Sequence, residues 1–236
     1  MKNTAERKVN NSPEIMEKIH AAIEQAKAEF KAGKVKVTIS CNNNIKTGKI
    51  PSISIPPFIS CPDICAKTCG PDCYAGKLVN LRTTCAVSWA RNWIALLKVP
   101  SLYWETIRAT AAMSTAFRYH VSGDIVNAEY FENMIAIARD FPGCHFLAFT
   151  KRYSVVNTWI DNNGSLPENM QIIFSEGWGI KASNPHNLPT STVYEKGDTV
   201  NDSWILCGGD CTACKCKNTG CWTAKKGETI AFQNHR

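Results

Sequence analysis

The 236-residue sequence predicts an α/β protein built on a mostly parallel sheet. Two observations point there. Strand-patterned and helix-patterned segments alternate through residues 117–175, which is how parallel strands with right-handed crossovers are laid down along a chain. The two central strand segments, CHFLAFT (144–150) and MQIIFS (170–175), are nearly continuous apolar runs, as strands covered on both faces should be. A third feature bears on function: nine of the twelve cysteines fall into two groups.

Taken in order, residues 12–33 form a helix. Ser12 suits the N-cap and Pro13 the first helical position. Ile15, Ile19, Ile23, Ala26 and Phe30 make one apolar stripe, and Gly33 ends it. Residues 35–40 and 50–55 alternate like strands, the second stopped by Pro56 and Pro57. Residues 58–80 carry the first cysteine group in irregular backbone marked by Gly70, Pro71 and Gly76. Helices follow over 82–98 and 101–115, then a strand over 117–122 and an amphipathic helix over 128–140. The strand 144–150, a short helix 153–161 and the strand 170–175 complete the pattern. Residues 176–206 read as loop. The organisation is an N-terminal helix over 1–34, an α/β core over 35–206 and a cysteine-rich segment over 207–236.

Hydrophobic residues make up 44% of the chain and charged residues 20%, which excludes a disordered protein. The formal net charge of +7 is spread along the chain. It fits an anionic ligand or nucleic acid, but plain solubility is the favoured reading. No run of about 18 apolar residues occurs, so no membrane helix is expected. The start, MKNTAERKVNNSPE, has no apolar h-region. A long chain of this kind is expected in a reducing cytoplasm, where clustered thiols more often bind metal than pair as disulfides.

The first group reads CPDICAKTCGPDCYAGK, with three residues between each of Cys61, Cys65, Cys69 and Cys73 and the next. Thiolates so close along a loop converge on one metal or one iron–sulfur cluster, because short spacers let successive sulfurs turn inward. Pro62, Gly70 and Pro71 argue against one long helix carrying them. The bland alternative is four buried, reduced cysteines. The tail reads CGGDCTACKCKNTGCW, with Cys207, Cys211, Cys214 and Cys221 as four ligands and Cys216 to spare. Four thiolates close a tetrahedral zinc site or hold a [4Fe–4S] cluster, leaving no open position, so this group reads as structural or electron-transferring.

Polar residues also collect where strands end. Ser122, Gly123 and Asp124 end the first, Thr150, Lys151 and Arg152 the second, Ser175 and Glu176 the third. Ligands of parallel α/β sheets bind outside the carboxyl ends of strands. Gly123 admits a ligand close to the backbone. Asp124 accepts hydrogen bonds from an amine or ribose, and Lys151 and Arg152 hold a carboxylate or phosphate. The alternative is that Asp124 caps a helix and Lys151 is solvated. His120 and His145 read as core or edge histidines, and Trp89, Trp93 and Trp104 as core. His235 lies near enough to the tail cysteines in sequence to be a further metal ligand. No P-loop, Rossmann fingerprint or HExxH motif occurs.

The ordered set CPDICAKTCGPDCYAGK, YHVSGDIVNAEYF, HFLAFTKRY, LPENMQIIFS and CGGDCTACKCKNTGCWTAKKGETIAFQNH resembles the phage gene product 88 family over about residues 50–236. The family's biochemical role is not established. Part of the order also resembles phage proteins related to radical S-adenosylmethionine enzymes. That resemblance implies a partial TIM-type barrel with an iron–sulfur cluster at its carboxyl mouth. It implies a cluster on 61–73, S-adenosylmethionine bound by Ser122, Gly123, Asp124, Thr150, Lys151 and Ser175, and a second iron–sulfur cluster or zinc at 207–221. The loop departs from the radical-enzyme pattern, which resembles Cys-x3-Cys-x2-Cys. Matching Cys-Tyr-Ala makes Cys73 the last ligand, Cys69 the one before it, and Cys61 or Cys65 the third. Three ligands leave one iron open for the cofactor; a fourth closes it. The x3, x2 spacing of Cys207, Cys211 and Cys214 lies after the strand–helix units and is read as coincidence. Two functions stay open: an iron–sulfur radical enzyme acting on an unknown substrate such as a nucleotide, and a zinc-stapled module that binds nucleic acid or protein.

Overall fold

A computed structural model describes residues 11–41 and 47–234. Seven strands form one sheet in the order β1-β2-β3-β4-β5-β7-β6. They are β1 (Ser52–Ile53), β2 (Ala116–Tyr119), β3 (His145–Thr150), β4 (Met170–Ser175), β5 (Thr190–Tyr194), β6 (Ile205–Leu206) and β7 (Thr229–Gln233). Every pairing is parallel. The α/β class with a parallel sheet therefore holds. The sheet is open, with β1 and β6 as its edges, so the strands do not close into a barrel.

Strand order explains which face each connection covers. From β1 to β5 the chain steps steadily across the sheet, and right-handed crossovers then fall on one face. That face carries α5 (Pro100–Ala112), α6 (Ala128–Asp140) and α7 (Tyr153–Asn163). Tyr103, Ile107, Phe131, Met134, Val156 and Trp159 pack there against Phe117, Tyr119, Phe146, Ala148, Ile172 and Phe174. Between β6 and β7 the chain steps backwards, so the same handedness carries the connection to the opposite face. There Trp222 and Ala224 pack on Ala116, Leu147, Ile173 and Ile230. Period-two alternation assigns neighbouring strand residues to opposite cores, which is why 144–150 and 170–175 are apolar throughout.

The tail crosses that second face from edge to edge. It leaves β6, forms α8 (Cys211–Cys216), and reaches residues that precede β1. Thr212 Oγ1 donates to the Thr47 carbonyl at 3.0 Å and accepts from the Lys49 amide at 3.0 Å. The tail also contributes β7 to the sheet interior, which its cysteine-rich composition conceals.

The N-terminal helix α1 (Pro13–Lys31) follows the expected stripe, with Ile15, Ile19, Ala22 and Ala26 buried. They pack on Ala75 and Val79 of α3 (Tyr74–Leu81) and on Trp89, Ala90 and Ile94 of α4 (Thr83–Lys98). Two strand expectations are corrected. Residues 35–40 form no strand; only Ser40 bridges to Ser52, antiparallel. Buried Asn92 instead takes the backbone of Thr38 through both its amide and its carbonyl, and also holds the Ser54 carbonyl. The strand expected over 50–55 shrinks to Ser52–Ile53 because Ser54 and Ile55 are pinned from the end of β2, as described below.

His120 is a core histidine. It is 4% exposed, and its Nε2 shares a hydrogen bond with the Tyr130 hydroxyl at 2.9 Å. Burial holds its pKa down at about 3, against an ordinary value of 6.5. The unfolded chain takes up this proton near pH 6.5 and the fold does not, so stability falls as pH drops from about 6.5 towards 3. Between pH 7 and 5 the loss is about 2 kcal/mol. His120→Asn accepts the residue's φ of 54° and removes the titration. Urea unfolding at both pH values should show the wild-type chain losing about 2 kcal/mol more than the variant. Equal losses would contradict the assignment.

Candidate metal and cofactor site at the carboxyl edge of the sheet

Because all strands run the same way, their carboxyl ends share one edge. The first cysteine group follows β1 and the second follows β6, so both open from that edge. The 61–73 loop is not one helix. A single turn, α2 (Ile64–Lys67), carries Cys65, a 3-10 turn spans Gly70–Asp72, and Cys73 stands at the start of α3.

The loop is fastened to β2 by the predicted strand-end residues. Ser122 Oγ donates to the Ile55 carbonyl at 3.0 Å, and its amide donates to Ser54 Oγ at 3.2 Å. Gly123 has a φ of +88°, and a Cβ there would lie 2.4 Å from Ile55 Cγ1 and 2.6 Å from Ser60 Oγ. The loop therefore needs glycine beneath it. Gly123→Ala should cost about 2–4 kcal/mol through left-handed strain and overpacking. Faster alkylation of Cys61 should accompany a lower urea midpoint. An unshifted midpoint would show that the loop does not rest on Gly123.

Asp124 ties the ends of β2 and β3 together. Its buried carboxylate accepts from Thr150 Oγ1 at 2.6 Å, the Ile125 amide at 2.7 Å and the Lys151 amide at 2.9 Å. Burial raises its pKa, and these three donors act in the opposite direction. Asp124 does not cap α6; Asn127 does, accepting from the Tyr130 amide at 2.8 Å. Thr150 Oγ1 also accepts from the Arg152 amide. Lys151 Nζ donates to Ser175 Oγ at 2.7 Å, and the Tyr153 hydroxyl donates to the Ser175 carbonyl. Asp124, Thr150, Lys151 and Ser175 are joined in one network, and Ser122 and Gly123 hold the Ser54–Ser60 segment beside it. Ser122, Asp124 and Thr150 direct their polar atoms at the protein itself. Lys151 and Ser175 stand at the half-buried rim.

Lys151 also faces the cysteine loop. Its charge favours the thiolates of Cys65, Cys69 and Cys73. The thiols crowd one another: Cys69 Sγ donates to the Cys65 carbonyl at 3.6 Å, and Cys61 and Cys69 both act on the Cys65 thiol. The Cys61 neighbour pushes Cys65 up to about 12, the Cys65 neighbour pushes Cys69 well above its ordinary value, and burial pushes Cys73 up to about 11. The Ala75 and Gly76 amides of α3 act on Cys73 in the opposite sense. Among the described residues no disulfide forms, and no three His, Cys, Asp or Glu side chains are drawn up as a ready-made metal site. The donor chemistry nevertheless fits a thiophilic metal or cluster: four thiols gather in one short loop, and three of them, Cys65, Cys69 and Cys73, lie within electrostatic reach of a cation that favours their ionised form.

The tail thiols show the same pattern. Cys207, Cys211, Cys214 and Cys221 all border the Trp222 core, and Cys216 is exposed. Trp222 Nε1 donates to the Cys211 carbonyl at 3.2 Å. Burial pushes Cys221 up to about 12 and also raises Cys211. Arg118 of β2 reaches this group. Its Nη1 donates to Cys211 Sγ at 3.4 Å, its guanidinium lies 5.2 Å from the Phe149 ring, and its buried Nε has no partner. An unpartnered guanidinium N–H on the side chain that bonds Cys211 and acts on Cys221 fits a site whose ligands become anionic on metal binding. Tyr74 stands between the two groups. Half of the residue is in solvent, and Arg118, Cys73, Cys61 and Cys211 all lie within electrostatic reach of its hydroxyl.

Arg118 and Trp178 escape the sequence reading. Arg118 sits in a strand of apolar neighbours, a pattern that marks an inward-facing charge. Trp178 sits in a Gly-Trp-Gly run just beyond Ser175 and Glu176. His235 lies outside the described residues.

Residues 11–233 match the family described as Gene product 88. The chain belongs to that family. A relative, the Gene 88 protein of Mycobacterium phage D29, is 29% identical over 184 residues, covering 72% of this chain and 71% of that protein. The gene product 88 match spans α1, both cysteine groups and every strand. No solved structure matches this chain. Among the described residues, no helix of this gene product 88 protein is long and apolar enough to cross a membrane.

Proposed function

We propose that this gene product 88 protein is an iron–sulfur enzyme of the radical S-adenosylmethionine type. In this reading the sheet is an arc of a TIM-type barrel, with α5, α6 and α7 on its outer face and the tail laid across its inner face. The 61–73 loop holds a [4Fe–4S] cluster, and the tail holds a second metal centre, zinc or iron–sulfur. One observation carries the proposal: Lys151 Nζ, bonded to Ser175 Oγ at 2.7 Å at the carboxyl edge, lies within electrostatic reach of Cys65, Cys69 and Cys73.

Each residue then has a task. Cys73 and Cys69, with Cys61 or Cys65, ligate the cluster. Asp124, Thr150 and Ser122 fix the loop and the strand ends in register. Lys151 and Ser175 bind the carboxylate of the cofactor. Gly123 keeps the backbone beneath Ser60 free of side chain. The chemistry such a cluster supplies when bound is one-electron reduction of S-adenosylmethionine. The competing reading, a zinc-stapled module that binds nucleic acid, leaves the Lys151–Ser175 pair at the rim without a ligand to hold. Iron, sulfide and zinc analysis of anaerobically reconstituted protein separates the two. The enzyme reading expects about four irons and four sulfides at the loop. Zinc alone, with no iron retained after reconstitution, overturns it.

A further inference from the structure

The turn that follows β4 carries an aromatic side chain the strand-end network does not use. Gly177, Trp178 and Gly179 have φ of 107°, 50° and 81°, so three successive residues occupy left-handed or related backbone. Glycine does so freely; a bulky tryptophan does not. The base of the turn is fixed. The Glu176 amide donates to the Ser191 carbonyl at 2.7 Å, Glu176 Oε1 accepts from the Ala182 amide at 2.9 Å, and Gly177 bridges Ile180. The tip presents the indole at the carboxyl edge with 37% of the residue in solvent, its ring 5.9 Å from Lys151 Nζ. Unfavourable backbone that places a large aromatic in solvent, next to a cation, is the signature of a contact kept for a ligand.

We propose that Trp178 is a stacking platform for a flat heteroaromatic group, in a ligand whose anionic end lies at Lys151. The ligand class is a purine nucleoside carrying a carboxylate or a phosphate. This rests on the reading that the mouth binds S-adenosylmethionine, but it names a contact that reading does not require. The free face of the indole takes the base, and the ammonium at the ring takes the anion.

The test compares the full iron-loaded chain with Trp178→Gly and Trp178→Phe, using S-adenosylmethionine and adenosine monophosphate as probes. Equilibrium dialysis gives affinity, and melting temperature gives stability. In Trp178→Gly, affinity should fall at least tenfold while the melting temperature holds or rises, because glycine relieves the backbone. Trp178→Phe should bind within threefold of wild type. The probes separate the two sources of the shared chemistry: S-adenosylmethionine bound only by iron-loaded protein marks the cofactor, and adenosine monophosphate bound with or without iron marks a nucleotide. Unchanged affinity with a lower melting temperature in Trp178→Gly overturns the platform alone. Wild-type protein that retains iron but binds neither probe overturns the platform together with the cofactor-site reading.

Discussion

Cys73→Ala should abolish the visible charge-transfer absorption of the reconstituted loop cluster while leaving the tail metal in place. Cys73 stands at the N-cap of α3, the amides of Ala75 and Gly76 favour its thiolate, and Lys151 adds its charge. Removing it takes away a ligand that every assignment of three loop cysteines includes. The substitution does not empty a large volume, so the melting temperature should move far less than the absorption. Full absorption in the variant would show that the iron sits elsewhere. Cys216→Ala, at the exposed spare, should change neither signal.

Trp222→Ala should be the most destabilising single change on the inner face, costing about 3–5 kcal/mol. The indole is 5% exposed and packs on Leu147, Ile173 and Ile230, one residue from each of three strands. Its Nε1 also holds the Cys211 carbonyl, and Lys215 lies over its ring. Losing it opens a cavity and releases the segment that presents four thiols. The expected result is a lower urea midpoint together with faster transfer of the tail metal to a chelator. A lower midpoint with unaltered metal release would separate the tail site from its packing. If iron at the loop survives in this variant, the two metal sites are independent.

Much of the outer face is legible in the sequence because its elements carry their own period and ends. Helix α6 runs from the residue after Asn127 to the residue before Phe141, and Pro142 and Gly143 close it. Strands β3 and β4 announce themselves as apolar runs because both faces of the sheet are covered. The strands β5 and β7 do not. TSTVY and TIAFQ are short and half polar, and they pair with one another across 39 residues, from Thr190 to Thr229. Nothing local distinguishes them from loop. Residues 35–40 fail in the opposite direction: their alternation is real, but Asn92 satisfies the backbone that a partner strand would have taken.

The candidate site divides the same way. Ser122, Gly123, Asp124, Thr150, Lys151 and Ser175 are visible because strand ends mark the binding edge of any parallel sheet. Their division of labour is not visible, since it depends on which polar atoms already have partners. That Thr150 and Lys151 both bond Asp124, or that Arg118 points at Cys211, is a matter of register between strands far apart in the chain.

The most direct measurement is the electron paramagnetic resonance spectrum of the reduced, iron-loaded chain before and after S-adenosylmethionine is added. An iron held open by three loop cysteines beside Lys151 predicts a cluster signal that shifts on addition, and a Lys151→Met variant in which the shift needs far more cofactor. An iron signal identical with and without S-adenosylmethionine would mean that four thiolates close the cluster, and would contradict the proposed chemistry.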